Sequence, residues 1–300
     1  MLYTEKIIEG TKFENILPQG ISLVLEGGGT RGFFTAGVFD AFIEEGIMFP
    51  YIVGVSAGAA NALSYISGQK GRNKVVLMKY VNNHRYVSRR NLLKHRSLFG
   101  FDFIFETVPN KFLYFDWESF KKTNIRFLTG VMDCATGKTK WFEKDQITKG
   151  FAIVRASCSI PLMAKIVKHK GLELLDGGIS DPIPIEKSIE DGNKFHVIIL
   201  TRNRGYKKGV FRQGWLMKLI YRKHPALYKV MRDRHNTYNE QVALCEQLER
   251  EGKALIIRPK RPNDLETTSR DIIKLLRLYD EGYVEGKFAA NEIKIIAPDS

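Results

Sequence analysis

The first third of the chain alternates short apolar runs with a stripe of apolar residues at helical spacing. Ile21–Leu25 and residues 52–55 are mostly apolar runs of strand length. Between them, Phe34, Val38 and Phe42 recur every four residues, which predicts a helix over 32–45. A run of small residues after position 56 predicts a second helix. The order strand, loop, helix, strand, turn, helix predicts an α/β domain with a parallel sheet.

The rest of the chain continues the alternation of strands and helices. Strands are predicted over 125–131, 140–142, 165–167, 172–175, 195–200 and 254–257, and helices over 236–250, 269–278 and 281–291. The sequence contains no repeat, low-complexity tract or linker. We therefore predict a single domain over 1–300, with a core at about 18–205 and a C-terminal helical portion at about 206–300.

The run Gly54-Val55-Ser56-Ala57-Gly58 lies where the second strand meets the second helix. A Gly-x-Ser-x-Gly sequence in that context forms a nucleophile elbow, a sharp turn on which bulky neighbours at either glycine would clash. A serine hydroxyl in such a turn becomes a nucleophile once a base accepts its proton. Ser56 is therefore the candidate nucleophile, and the simpler alternative is a helix N-cap.

The loop Gly27-Gly28-Gly29-Thr30-Arg31-Gly32 follows the first strand and also reads Gly-x-Gly-x-x-Gly. A dinucleotide-binding interpretation needs an acidic residue at the end of the next strand, and that position falls at Ile52-Val53. We favour an oxyanion hole, in which backbone N–H groups of the glycines hold a developing negative charge. Arg31 adds a positive charge beside this loop.

Asp176-Gly177-Gly178 ends the apolar stretch 172–175. A carboxylate at the end of a strand can accept the proton of a serine hydroxyl directly, so Asp176 is the candidate general base. The alternative is an ordinary Asp-Gly turn.

These three motifs, in this order, resemble those of the patatin-like phospholipase family. The runs 156–161 and 182–184 are similar to family segments on either side of the aspartate, and the resemblance covers about 21–184. It implies a three-layer α/β/α sandwich with a central, mostly parallel sheet. It also implies a Ser56–Asp176 dyad, an oxyanion hole formed by Gly28 and Gly29 with Arg31, and no metal or organic cofactor. The expected activity is hydrolysis of phospholipid or related lipid esters; the alternative is a non-catalytic lipid-binding or regulatory protein.

A Ser-Asp-His triad is the competing mechanism, because three histidines follow Asp176. His196 lies within a predicted strand and is expected to be a core residue. His224 and His235 lie in a basic stretch and are expected at the surface. None of the three lies in a recognisable catalytic loop, so a dyad is favoured.

The cysteine content and the apolar runs of the chain indicate where in the cell the protein is expected. The chain has 300 residues and three widely spaced cysteines, Cys134, Cys158 and Cys245, which predict reduced, structural thiols. No apolar run reaches the ~18–20 residues needed to span a bilayer. Residues 1–6 contain no hydrophobic signal segment, so a cytoplasmic location is expected, with peripheral membrane contact as a possibility.

Positive charge is concentrated in two segments. Residues 69–101 contain nine Lys/Arg and no acid, and residues 202–235 contain eleven Lys/Arg with one acid, Asp233, in a chain of net charge +14. Such segments favour contact with an anionic membrane, or they are solvated faces. Residues 214–223 mix aromatic, aliphatic and cationic side chains, as an interfacial helix, a lid or a core-packed helix would. No nucleic-acid fold signature accompanies the charge, so a nucleic-acid partner is not expected.

Overall fold

The computed structural model describes residues 10, 13, 16–211 and 214–297. The prediction about a signal segment in residues 1–6 lies outside the described residues, as do positions 212 and 213 of the second basic segment. Within the described ranges, no helix combines the length and the apolar character needed to cross a membrane.

Strands and helices alternate along most of the chain. The strands are β1 (Ile21–Leu25), β2 (Tyr51–Val55), β3 (Arg126–Asp133), β4 (Thr139–Glu143), β5 (Val167–His169), β6 (Leu172–Asp176), β7 (Phe195–Ile199) and β8 (Ala254–Ile257). The α-helices are α1 (Phe33–Glu44), α2 (Ser56–Ile66), α3 (Arg72–Tyr80), α4 (Arg89–His95), α5 (Trp117–Lys122), α6 (Ala152–Ser157), α7 (Ile185–Glu190), α8 (Gly214–Ile220), α9 (Pro225–Arg250) and α10 (Ile272–Ile296). A π-helical segment, Phe103–Phe112, lies between α4 and α5.

The strands form one sheet in the order β5-β6-β3-β2-β1-β7-β8, with β4 paired to β3. Strands β3, β2, β1, β7 and β8 run parallel to one another. Strands β4 and β6 pair antiparallel with β3, and β5 pairs antiparallel with β6. The sheet is therefore mixed and mostly parallel, as predicted.

Helices cover both faces of the sheet. In β1, Leu23 and Leu25 face a large core shared with α1, α2 and α10, whereas Val24 faces a second core shared with α7 and α9. Side chains of successive residues in a strand point to opposite faces, so this division places β1 at the centre of three layers. The predicted α/β/α sandwich is confirmed.

The C-terminal helices differ from the prediction. The two helices expected over 269–278 and 281–291 are one continuous helix, α10, which packs against α1. Gly282 lies where a Cβ atom would overlap the backbone carbonyl of Phe34, and Gly286 lies within contact of Val38 in the same way. Glycine lowers helix propensity by about 1 kcal/mol, but here it allows close helix packing, which decides the outcome.

The predicted boundaries of one helix and one strand were also wrong. The helix expected over 236–250 begins eleven residues earlier, at Pro225, because proline fits the first turn of a helix and the basic residues that follow it are good helix formers. The hairpin strand expected over 165–167 is Val167–His169, which pairs with β6 across the tight turn at Lys170-Gly171.

Candidate active site

Ser56 lies on a strained turn between β2 and α2. Its φ angle is +51°, a conformation that non-glycine residues rarely adopt. The flanking glycines allow the turn to pack tightly: a Cβ on Gly54 would lie 3.0 Å from Leu25 Cβ, and one on Gly58 would lie 2.7 Å from the Glu26 carbonyl oxygen. This is the geometry expected of a nucleophile elbow.

Strand β3 brings Ser56 and Asp176 together. Val55 at the end of β2 pairs with Gly130 of β3, and Asp176 at the end of β6 pairs with the next residue, Val131. Because β4 occupies the other edge of β3, β2 and β6 share one edge and their carboxyl ends meet. The Ser56 hydroxyl donates to Asp176 Oδ2 over 2.7 Å.

The Asp176 carboxylate is buried and strongly held. The backbone N–H of Gly178 donates to its other oxygen over 2.7 Å, and only 3% of the residue is exposed. Burial raises the pKa of Asp176 from 3.8 to about 6, while the Ser56 hydrogen bond and the charge of Arg234 lower it in part. Asp176 is thus a carboxylate at neutral pH that is basic enough to accept a proton.

Ser157 supports the turn from α6. The backbone N–H of Ser56 donates to Ser157 Oγ over 2.8 Å, and Ser157 Oγ donates to the Gly130 carbonyl oxygen over 2.7 Å. A Cβ atom on Gly177 would overlap that same carbonyl. The run 156–161 is similar to a family segment, but its local sequence does not indicate that Ser157 supports the turn at Ser56.

Two backbone N–H groups of the glycine loop have no acceptor among the described residues. Gly27 N donates to Pro182 O, Thr30 N donates to Thr267 O, and Arg31 N donates to Gly28 O. The N–H groups of Gly28 and Gly29 have no such bond. A Cβ on Gly27 would lie 3.0 Å from Ser56 Cβ, so the loop passes directly beside the serine.

Residues 265–267, which precede α10, hold the outer side of this loop. Thr30 Oγ1 donates to the carbonyl oxygens of Glu266 and Thr267 over 3.1 and 3.2 Å. Arg31 Nη1 donates to the Leu265 carbonyl oxygen over 3.2 Å, so its hydrogen bonds are to this segment rather than to Ser56.

The remaining loop glycines make similarly close contacts. Gly29 has a φ of +57° and lies against Thr267, and a Cβ on Gly28 would lie 2.7 Å from Thr201 Oγ1. At the start of α1, a Cβ on Gly32 would lie 2.8 Å from Ala57 Cβ. The loop therefore fits its surroundings only with glycine at these positions.

An apolar pocket of about 110 Å³ opens at Ser56. Its walls come from the glycine loop, α1, α2, α3 and the segments 99–105 and 158–160. They include the apolar residues Phe33, Ala60, Val76, Phe101, Ile104, Phe105 and Ile160 and the polar residues Asn61 and Asn73. A second cavity of about 90 Å³ shares Ala60, Val76, Ile104 and Phe105 and continues to Pro109, Phe115 and Phe151. The second cavity therefore adjoins the first on the side away from the serine, and its walls include the polar residue Arg72.

The histidines contact other parts of the protein. His196 is buried in β7, and its Nδ1 lies 2.9 Å from Ser22 Oγ and 3.0 Å from Ser188 Oγ. Burial lowers the pKa of His196 to about 4. His224 Nε2 lies 3.4 Å from a Glu173 oxygen, and His235 Nδ1 lies 3.0 Å from the Arg232 carbonyl oxygen. In the part of the chain that the structure describes, no group of three or more His, Cys, Asp or Glu residues could hold a metal ion.

The fold and this site together define an α/β/α protein with a serine–carboxylate pair on a strand-to-helix turn. A family profile described as patatin-like phospholipase matches residues 23–188, more than half of the chain. This chain belongs to the patatin-like phospholipase family. A second profile, a domain of unknown function (DUF6363), matches residues 224–296.

Several curated proteins are similar in sequence. The uncharacterized protein YjjU of Escherichia coli is 31% identical over 200 residues, which is 61% of this chain and 52% of that protein. Lysophospholipase NTE1 of Candida glabrata is 28% identical over 170 residues, which is 56% of this chain and 10% of that protein. The match thus spans about half of the E. coli relative and about a tenth of the yeast relative.

Among solved structures, VipD from Legionella pneumophila shares the fold. The two superimpose with a TM-score of 0.52 over 94% of this chain and 68% of that chain, at 11% sequence identity.

The burial of Asp176 predicts an unusual pH dependence of stability. The folded pKa, about 6, lies above the reference value of 3.8. Between these values the unfolded chain is ionised while the folded protein keeps its proton, so stability falls as pH rises through this window. Asp176→Asn removes the titrating group and with it this loss of stability. The free energy of unfolding of the variant minus that of the wild type should therefore rise by up to about 3 kcal/mol between about pH 4 and pH 7. Urea unfolding at both pH values measures it.

Asp181 offers a matched control. Burial raises its pKa to about 6 as well, and its Oδ1 accepts a hydrogen bond from Gln241 rather than from Ser56. Asp181→Asn should show the same pH trend in stability. A stability difference for Asp176→Asn that stays constant with pH would contradict the assigned pKa.

Proposed function

We propose that this protein is a lipid acyl hydrolase that cleaves carboxylic esters of phospholipids or related lipids. The observation that carries the proposal is the hydrogen bond of 2.7 Å from Ser56 to Asp176 at the mouth of an apolar pocket. The family membership and the lysophospholipase relatives support the same class of substrate.

The proposed reaction uses Ser56 as nucleophile and Asp176 as base. Ser56 Oγ attacks the ester carbonyl carbon and its proton passes to Asp176 Oδ2. The N–H groups of Gly28 and Gly29 donate to the resulting oxyanion, and each such donor is typically worth about 3 kcal/mol. Collapse breaks the bond to the alcohol, which leaves with the proton from Asp176. Water then attacks the acyl-serine and gives a proton to Asp176. Collapse of this second tetrahedral intermediate breaks the bond to Ser56 Oγ, which takes the proton back from Asp176, and the fatty acid is released.

The apolar pocket fits the acyl chain of such a substrate. Burying each methylene group contributes about 0.8 kcal/mol, so two neighbouring, mostly apolar cavities beside Ser56 favour long acyl chains over short ones. Their walls are mostly apolar side chains, while Asn61 and Asn73 line both cavities and Arg72 lines the second.

Replacing either member of the pair should abolish hydrolysis. Ser56→Ala removes the nucleophile and Asp176→Asn removes the base, and each should lower kcat for a p-nitrophenyl ester and a labelled phospholipid by about four orders of magnitude. In the wild type, kcat/KM should rise with pH through about 6, because the base must be ionised to act.

Asp181→Asn, which also removes a buried carboxylate, should keep most activity, as should alanine at His196, His224 or His235. Full activity in Ser56→Ala would refute the mechanism, and loss at a single histidine would replace the dyad by a triad. A wild type that binds lipid without hydrolysing it would favour the non-catalytic alternative.

A bulky residue in the pocket should shorten the preferred acyl chain. Val76 of α3 lines both cavities, so Val76→Trp fills the path between them. We expect the ratio of kcat/KM for palmitoyl over butyryl esters to fall about tenfold or more, because several methylene groups lose their burial. Met78→Trp, on the same helix but 56% exposed, is the control and should leave the ratio unchanged. An unaltered ratio in Val76→Trp would place the acyl chain elsewhere.

We further propose that the two basic segments contact an anionic membrane. Helices α4 and α8, one from each segment, border a common groove lined by Leu92, Arg96, Ile220, Arg222 and Lys223. Large apolar side chains on these two helices face solvent: Leu93 of α4 is 86% exposed, and Trp215 and Leu219 of α8 are 71% and 67% exposed. Exposed apolar residues among cations suit a lipid interface. Met217 of α8 is buried, so that helix also packs on the core.

Trp215→Ser should weaken binding to vesicles that contain anionic lipid by about tenfold, measured by sedimentation, because it removes a large apolar contact. Binding of the wild type should decrease with added salt. Ile273→Ser, a comparably exposed residue of α10, is the control. Equal binding of the wild type to neutral and anionic vesicles would refute the membrane proposal.

A further inference from the structure

Four cationic side chains gather beside the Ser56–Asp176 pair. Arg31 comes from the glycine loop, Arg202 and Lys208 from the segment between β7 and α8, and Arg234 from α9. All four are half-buried. In addition to burial, the charges of the other three lower the pKa of Lys208, and the charge of Arg202 lowers the pKa of Arg31. We call these four residues the cation cluster.

Aromatic rings and hydrogen bonds fix the cluster in place. The Arg202 guanidinium lies 4.5 Å from the centre of the Tyr206 ring, and Lys208 Nζ lies 5.3 Å from the centre of the Tyr238 ring. Arg202 Nη1 donates to the Asn263 carbonyl oxygen over 2.9 Å, and Arg234 Nε donates to the Gly178 carbonyl oxygen over 2.7 Å. These contacts hold the cations together without neutralising them.

No carboxylate of the described residues pairs with the cluster. The carboxylate–cation pairs within 4.0 Å include none of its four members. The nearby acids are Glu26 and Asp176. Glu26 is buried, and burial raises its pKa. Four cations against two buried carboxylates leave an excess of positive charge.

Two polar groups of the cluster have no carboxylate partner among the described residues. Arg31 Nε is buried without a hydrogen-bond acceptor. Among the described residues, Lys208 forms hydrogen bonds with Asn239 through its backbone, while its Nζ contacts the Tyr238 ring. Burial and the neighbouring arginines lower the pKa of Lys208 to about 7. Mutual repulsion of this kind is relieved when an anion binds, and guanidinium groups suit phosphate oxygens in particular.

The cation cluster and the apolar pocket both lie beside the serine, and they are formed by different residues. The pocket walls include Gly29 and Thr30 but no member of the cluster. The cluster touches the motif of the base, since Arg234 binds Gly178, and it includes the loop residue Arg31. An ester at Ser56 can therefore have its acyl chain in the pocket and an anionic group at the cluster.

We propose that the cation cluster binds the phosphate group of a glycerophospholipid whose ester lies at Ser56. The proposal rests on the proposed hydrolase function for its biological meaning, but phosphate binding can be measured without hydrolysis. It predicts a preference for phosphate-bearing esters over neutral acylglycerols with the same acyl chain.

Binding is tested first, by calorimetry on Ser56→Ala protein with glycerol 3-phosphate, inorganic phosphate and glycerol as probes. We expect glycerol 3-phosphate to bind and Lys208→Gln to weaken it about tenfold, the loss expected for one charge-assisted hydrogen bond. Lys207→Gln, which replaces the exposed neighbouring lysine, should leave the affinity unchanged. Glycerol 3-phosphate that binds more tightly than inorganic phosphate indicates a lipid headgroup, whereas equal affinity indicates a site for free phosphate and refutes the headgroup proposal.

Hydrolysis is tested second, with lysophosphatidic acid and a monoacylglycerol of the same acyl chain. Lys208→Gln and Arg202→Gln should each lower the ratio of kcat/KM between these substrates about tenfold, with the effect in KM. An unchanged ratio, or the absence of binding by both phosphate probes, would overturn the proposal. If the wild type hydrolyses neither ester but binds glycerol 3-phosphate, the proposed function is wrong and the phosphate site is still supported. Melting temperatures of all variants verify folding.

Discussion

The site depends on a single structural constraint, the shared edge of β3. Strand β2 pairs with this edge up to Gly130, and β6 begins to pair at the next residue, Val131, in the opposite direction. Two strand ends therefore meet, and each carries one polar residue of the pair. The contact is so close that the Gly130 carbonyl oxygen touches Gly177 and accepts a hydrogen bond from Ser157. A side chain at Gly177 would separate the strand ends and, with them, Ser56 and Asp176.

The C-terminal part of the chain completes this arrangement. Residues 265–267 hold the outer side of the glycine loop, and Arg234 of α9 binds the carbonyl oxygen of Gly178. Both lie within 224–296, the segment matched by the domain of unknown function, and outside the patatin-like match. The residues that form the pair, and some of those that support it, thus come from different parts of the sequence.

This separation explains what the sequence could predict. Ser56, Asp176 and the glycine loop lie in short motifs whose local geometry is set by neighbouring residues, so their positions followed from the pattern. Arg234 and Thr267 form hydrogen bonds with residues that are distant in the sequence. Nothing in their local sequence distinguishes them from surface residues. Gly282 interrupts the helical pattern locally but serves the packing of α10 on α1. In each case a long-range contact, which a local pattern does not contain, determined the structure.

Arg234 also resolves a conflict at Asp176, the proposed base. Burial alone raises the pKa of Asp176, and a carboxyl group that kept its proton at neutral pH could not accept one from Ser56. The Ser56 hydrogen bond, the charge of Arg234 and the N–H of Gly178 all lower this pKa, in that order. Burial makes the carboxylate a stronger base, and these three groups keep it ionised. The balance near 6 follows from groups supplied by three separate elements, the start of α2, α9 and the turn after β6.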